Sequence, residues 1–189
     1  VPLIIEKIYK NRILPNLTGS FLRKTLYNIP FFRKKINKLA GAKLLETFGG
    51  RLRFYGIGGA KLSSFVEEFL DEAEFPYIVG YGLTETSPLI AGTRINMKKK
   101  IGSTGLPMVG VEIKIKNQNS KNEGEICVKS PSVMLGYYKN EEQTKEVMEN
   151  GWFLTGDLGY IDEDGYLFIS GRSKNVLIGS GGENIFPEQ

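Results

Sequence analysis

The stretch Gly80-Tyr-Gly-Leu-Thr-Glu-Thr-Ser-Pro88 sets a hydroxyl and a carboxylate side by side, at Thr84 and Glu85, directly after an apolar run. A threonine at the end of a strand can offer its hydroxyl and nearby backbone N–H groups to an anion. A glutamate beside it supplies the hard oxygen that Mg²⁺ takes when it bridges protein and phosphates. Tyr81 could stack on an aromatic base. The same residues serve equally as an N-cap with a solvated acid, and local chemistry leaves both readings open. Two further groups have a related character. Trp152-Phe-Leu-Thr-Gly-Asp157 ends an apolar run on a carboxylate beside glycine, suited to holding two ribose hydroxyls. Gly171-Arg172-Ser-Lys174 follows another such run with fixed positive charge, suited to ribose or phosphate. Each alone is more often structural, but three in this order do not look independent.

Histidine is absent from the 189 residues. That excludes Ser/His/Asp catalysis and His-ligated zinc, and leaves the chemistry to carboxylates, hydroxyls, Lys/Arg and backbone groups. Cys127 is the one cysteine. It permits no internal disulfide, fits a reducing compartment, and reads as core filler in an apolar strand. Gly56-Ile-Gly-Gly59 begins like a dinucleotide fingerprint, but Lys61 stands at the third glycine position. No Walker-type phosphate loop occurs, and no apolar run approaches the roughly 20 residues of a membrane span.

These candidates need elements to hold them. Leu52–Ile57 reads as a buried strand, followed by the turn Gly58-Gly59-Ala60. Ser63 and Ser64 cap a helix to about Asp71 that turns Phe65, Val66, Phe69 and Leu70 inward. Phe75–Val79 is a second strand leading into Gly80. Strand, glycine turn, helix, strand is the order of a parallel α/β sheet, where ligands collect at strand C-terminal ends. Beyond Lys98 the pattern changes to short strands: Val111–Ile115 and Gly124–Val128 around a polar loop, then Trp152–Leu154, Leu158–Ile161 and Tyr166–Ile169. Glu141–Met148 is the helical exception, and the whole region reads as a small β-rich barrel or sandwich. The expected fold class is therefore α/β plus β, divided as 1–97, 98–171 and 172–189. The first 45 residues show helical spacing broken at Pro15 and Pro30. They carry ten Lys/Arg against Glu6, a charge of +9, against −5 for the remainder. That basic segment reads as a solvated face, with anionic lipid, nucleic acid or a polyphosphate cofactor as alternative neighbours.

With these motifs in place the chain resembles the AMP-forming acyl-CoA synthetases of the adenylate-forming superfamily, most closely the long-chain fatty-acid–CoA ligases. Tyr55–Ala60, Gly80–Pro88, Ile101–Pro107, Gly124–Tyr138, Trp152–Asp157 and Gly171–Pro187 look like successive family motifs. The resemblance implies the distal part of the family's N-terminal domain, with the C-terminal domain almost entirely absent. It also implies a two-step reaction, in which a carboxylate and ATP give acyl-AMP, then coenzyme A gives the thioester. Thr84 would contact phosphates and Glu85 would hold Mg²⁺, making these two the catalytic contacts. Gly58, Gly59 and Ala60 would lie along adenine, with Tyr81 stacking on it and Gly80, Gly82 and Ile169 bordering the nucleotide. Asp157 would hold both ribose hydroxyls, assisted by Arg172. Lys174 falls at the family's hinge, and Gly181 and Gly182 would face the pantetheine arm of coenzyme A. Ile57 and Gly80 would border the acyl tunnel.

The family's phosphate loop is expected upstream of Val1 and its catalytic lysine beyond Gln189, so the piece is expected to be inactive alone. Gly179 stands where many relatives carry a lysine or bulky residue. The expected partners are fatty acid, ATP and coenzyme A in the cytoplasm, with peripheral contact to an anionic membrane surface and no nucleic acid. Reversing charge at Arg33, Lys34 and Lys35 should then weaken use of coenzyme A or the acyl substrate. Rival readings are an amino-acid-adenylating domain, which usually has Pro where Leu83 stands, a luciferase-type oxygenase, and a non-catalytic basic binding module.

Overall fold

A computed structural model describes residues 2–94, 97–173, 177–178 and 184–185. Lys174, Gly179, Gly181 and Gly182 lie outside the described residues. The chain forms two compact units, Val1–Val79 with Arg94–Gly102, and Gly80–Thr93 with Ser103–Gln189. These units cut across the sequential boundary expected near residue 97.

The first unit opens with α1 (Pro2–Ile8), a π-helical stretch Tyr9–Ile13, and α2 (Leu14–Thr18). Pro15 does not break this run. Leu14 N–H reaches back five residues to the Tyr9 carbonyl, and the wider turns bring the chain to Pro15 at the start of α2, where a missing N–H is tolerated. Then come α3 (Phe21–Tyr27) and α4 (Pro30–Thr47), the latter begun by Pro30 in its first turn. Strand β1 is only Tyr55–Ile57, shorter than the expected 52–57, and α5 spans Ser64–Glu72. Ser63 sits at the N-cap of α5 without capping it. Its hydroxyl instead donates to Glu6 at 2.6 Å, where its N–H also binds, tying α1 to α5. Val66, Phe69 and Leu70 are buried as expected, while Phe65 is 45% exposed. They pack with Ile5, Tyr9, Leu44, Ile57, Phe75 and Tyr77.

Two polar anchors complete this unit. The Arg33 guanidinium bonds both oxygens of Glu72, and Asn37 Nδ2 adds a further contact at 2.7 Å. Burial alone would raise the Glu72 pKa, but these donors outweigh it and hold it below the ordinary value. Arg33 thus forms an ion pair within this unit while its side chain stays partly exposed. Glu67, buried on α5, accepts the Gly102 N–H at 2.8 Å and the Tyr77 hydroxyl at 3.5 Å.

Strand β2 (Tyr77–Gly82) serves both units. Its first half pairs in parallel with β1, through Tyr55↔Tyr77 and Ile57↔Val79. Its second half pairs antiparallel with β3 (Leu89–Gly92), which in turn pairs with β4 (Leu106–Pro107). The remaining strands are β5 (Glu112–Lys116), β6 (Gly124–Lys129), β7 (Met148–Glu149), β8 (Trp152–Ile161) and β9 (Leu167–Arg172), with α6 (Glu141–Val147) before β7. They form an antiparallel sheet ordered β5-β6-β8-β7, with β9 also on β8. Two short strands, β10 (Leu177–Ile178) and β11 (Asn184–Ile185), pair with each other.

The run read as two strands at 152–154 and 158–161 is one. Gly156 takes φ +69° inside β8, while its N–H is held by Glu125 Oε1 (3.1 Å) and its carbonyl by the Ser173 hydroxyl (3.0 Å). Side chains alternate along β8, so the face that buries Phe153 also buries Thr155, Asp157 and Gly159. Ile126, Val128 and Leu167 form the core here with Tyr81, Ile90 and Ala91.

Candidate functional site

Asp157 owes its position to the period of β8, which turns it to the inner face, where the residue is 4% exposed. Its Oδ2 accepts the Tyr81 hydroxyl at 2.7 Å, and its Oδ1 faces Arg172 Nε at 3.0 Å. Arg172 is its register partner across the β8–β9 ladder, and most of that side chain stays exposed. The Asp157 N–H donates to Thr155 Oγ1 (3.1 Å), whose own hydroxyl donates to the Ile126 carbonyl. Among the described residues the carboxylate is therefore held by one donor on each oxygen, which leaves lone pairs on both for further hydroxyl donors. Burial, followed by the Asp157 charge, pushes the Tyr81 phenol well above its ordinary range, so Tyr81 remains a neutral donor.

The structure thus joins Tyr81, Asp157 and Arg172, but it gives Tyr81 a different setting from an open stacking platform. Its ring is 9% exposed and packs in the core of its unit, with the hydroxyl spent on Asp157.

The Thr84–Thr86 segment is a single 3₁₀ turn closed by Ser87 at φ 57°. Thr84 does not cap it. Thr86 does, its buried hydroxyl oxygen accepting the Leu83 N–H at 3.1 Å and lying 2.7 Å from the Pro88 carbonyl. Thr84 is left exposed, its hydroxyl available to a ligand. Glu85 is held at two points: its carbonyl accepts the Met134 N–H at 2.7 Å, and its Oε1 accepts the Tyr137 hydroxyl at 3.0 Å. Burial, then this bond, raises the Tyr137 pKa. Gly82, just before the turn, has no room for a side chain: a Cβ there would lie 1.6 Å from the Pro88 carbonyl oxygen.

Gly80 lies on β2 and half-buried Ile169 on β9, opposite Gly159. Gly58, Gly59 and Ala60 form the bend after β1 in the other unit. Lys174, expected at a hinge, and Gly181 and Gly182, expected to face coenzyme A, lie outside the described residues. Sequence reasoning gave no role to Thr86, Met134 or Tyr137. For Tyr137 the one signal was its place in the Gly124–Tyr138 motif, since nothing local joins it to Glu85, 52 positions away.

Residues 16–138 match the family described as AMP-binding enzyme. A 2-succinylbenzoate–CoA ligase of Bacillus cereus is 36% identical over 194 residues, covering 96% of this chain and 40% of the relative. A long-chain-fatty-acid–CoA ligase of Mycobacterium bovis is 39% identical over 151 residues, covering 80% of this chain and 24% of the relative. Among solved structures, the O-succinylbenzoate coenzyme A synthetase of Bacillus subtilis in complex with ATP and magnesium ion superposes with a TM-score of 0.65 at 34% identity, covering 77% of this chain and 33% of that one. The chain belongs to the AMP-binding enzyme family, with the mixed α/β fold of the adenylate-forming enzymes, and spans less than half the length of these relatives.

Proposed function

We propose that this chain supplies the nucleotide-holding part of an AMP-forming acid–thiol ligase, which joins a carboxylic acid to coenzyme A through an acyl-adenylate. The observation that carries this is the buried Asp157 carboxylate, held by Tyr81 and Arg172 with lone pairs left for two ribose hydroxyls. In the first step a carboxylate oxygen of the acid attacks the α-phosphorus of ATP and pyrophosphate leaves. In the second, the coenzyme A thiolate attacks the acyl carbonyl and AMP leaves. Neither step needs histidine, because both depend on positioning and on neutralising phosphate charge.

Asp157 would orient the ribose, and the Arg172 charge would hold the Asp157 carboxylate in place beside it. The exposed Thr84 hydroxyl would donate to a phosphate oxygen. Gly80, Gly82 and Ile169 are proposed beside the nucleotide, and Gly58, Gly59 and Ala60 along adenine, on the family resemblance. Mg²⁺ fits the residues present in a limited way. Among the described residues no group of three or more acidic, Cys or His side chains is placed to enclose a metal. One oxygen of Glu85 is taken by Tyr137 and the other is left for a cation, which suits an ion held by one carboxylate, waters and phosphates. Bound there, Mg²⁺ would neutralise charge on the phosphates.

For the acid, we propose a long-chain fatty acid, supported by the motif resemblance and by the mycobacterial relative. The longer match to the Bacillus cereus ligase favours 2-succinylbenzoate as a second reading. ATP–pyrophosphate exchange by the intact protein discriminates them, tested with acetate, long-chain acids, 2-succinylbenzoate and amino acids. Exchange that needs a long-chain acid supports the first reading. Exchange with 2-succinylbenzoate alone supports the second, and exchange with amino acids alone would remove both.

Peripheral contact with an anionic membrane surface is proposed for the basic helices. Helix α3 buries no residue, and Phe21 (88% exposed), Leu22 and Phe31 stand out beside Lys24, Lys34 and Lys35. No helix among the described residues is long and apolar enough to cross a membrane. Salt-sensitive co-sedimentation with anionic but not neutral vesicles is the expected result, and equal binding to both would remove the electrostatic part of the idea.

A further inference from the structure

We propose that Tyr137 is a positioning residue for the metal-binding carboxylate of Glu85, which rests on the reading of Glu85 given above. The geometry is a two-point clamp. Met134 N–H fixes the main chain of Glu85 at 2.7 Å, and the Tyr137 hydroxyl fixes its side chain through Oε1 at 3.0 Å. Both clamping residues lie on one loop, between β6 and α6, so the turn and the carboxylate are set by the same stretch of chain.

That loop is itself anchored. Tyr137 N–H donates to Thr144 Oγ1 at 2.9 Å, and the Thr144 hydroxyl donates to the Asn140 carbonyl at 2.8 Å. Asn140 Oδ1 caps α6 by accepting the Gln143 N–H. Hydrogen bonds at the two ends of Tyr137, its backbone N–H and its hydroxyl, therefore link α6 to Glu85 Oε1. A half-buried glutamate on a turn would otherwise sample several rotamers. Here Oε1 is fixed by the Tyr137 hydroxyl, in the way an outer partner orients a carboxylate ligand.

Tyr137→Phe removes the hydroxyl and keeps the ring, so the measurement is Mn²⁺ affinity of the intact protein at saturating ATP, read from the paramagnetic resonance signal of unbound Mn²⁺. Metal-free ATP binding in chelator and the melting temperature are followed beside it. The expected result is about tenfold weaker Mn²⁺ binding, with metal-free ATP binding and melting essentially unchanged. Glu85→Gln should lose at least as much, and the double variant no more than Glu85→Gln alone, since the hydroxyl acts through the carboxylate. Wild-type Mn²⁺ affinity in Tyr137→Phe, together with a loss in Glu85→Gln, overturns this proposal and leaves the functional reading standing. Parallel falls in metal-free ATP binding and melting make the role structural and also overturn it. Wild-type affinity in Glu85→Gln removes the metal assignment itself.

Discussion

Asp157 meets its two donors from two other strands, Tyr81 on β2 and Arg172 on β9, and the three make one polar cluster in a largely apolar core. Asp157→Ala deletes the proposed ribose acceptor and takes from the buried Tyr81 hydroxyl its carboxylate acceptor, which costs about 1–3 kcal/mol of stability. Its AMP affinity, measured by calorimetry, should fall at least roughly tenfold, one hydrogen-bonding group being worth about that much. Thr84→Val should behave differently. Its side chain is exposed and makes no cap, so melting should hold while ATP affinity falls about tenfold and AMP affinity changes little. Equal losses for both nucleotides would place Thr84 elsewhere than on the outer phosphates. Asp157 and Arg172 were legible as site candidates because a charged residue at the end of an apolar run is conspicuous. The Tyr81 bond was not legible, because 76 positions separate the partners and a tyrosine reads equally as a stacking ring or a buried donor.

At the scale of elements, the β8–β9 ladder decides whether Asp157 and Arg172 stand opposite each other. Gly159 sits in that ladder at a register shift, and a Cβ there would meet the Phe168 carbonyl oxygen at 2.2 Å. Gly159→Ala should therefore destabilise by about 1–3 kcal/mol and weaken AMP binding with it, as thermal melts and calorimetry on the same samples would show. The strands at 112–116 and 124–129 were legible from strict alternation and a polar loop. The continuity of β8 was not, since Gly156 reads as a break until its N–H and carbonyl are seen to be taken by Glu125 and Ser173. Helix α5 offers a pH test. Burial raises the Glu67 pKa above its ordinary 4.5, despite the Gly102 N–H that favours the charged form. The folded state then holds that proton more tightly than the unfolded one, so the stabilisation is complete below pH 4.5 and is lost as pH rises through the folded value. Glu67→Gln should accordingly melt higher than the parent at neutral pH, with the gain vanishing below pH 4.5. A gain that persists in acid would assign it to packing instead.

On the scale of the whole molecule, each unit has its own core, one built from α1, α4 and α5 around β1 and β2, the other from the sheets of the β-rich unit. The alternation of helical and strand periods separates a helix-rich first part from a strand-rich second part in the sequence. The return of Arg94–Gly102 to the first unit was not, because Glu67 takes the Gly102 N–H across 35 positions with no local signature. Cys127 carries a consequence of this layout. It is fully buried in β6, opposite Leu154 of the strand that bears Asp157, and burial pushes its thiol up to about 11. Alkylation in neutral buffer should wait for that strand to open, so its rate is a stopwatch native to the sequence, with no engineered label and no second thiol within these 189 residues. If opening and reclosing are fast and opening abolishes the proposed site, AMP at Asp157 would slow the stopwatch by a factor of one plus its concentration over its dissociation constant. A single tube of thiol reagent then turns occupancy of an invisible nucleotide into elapsed time.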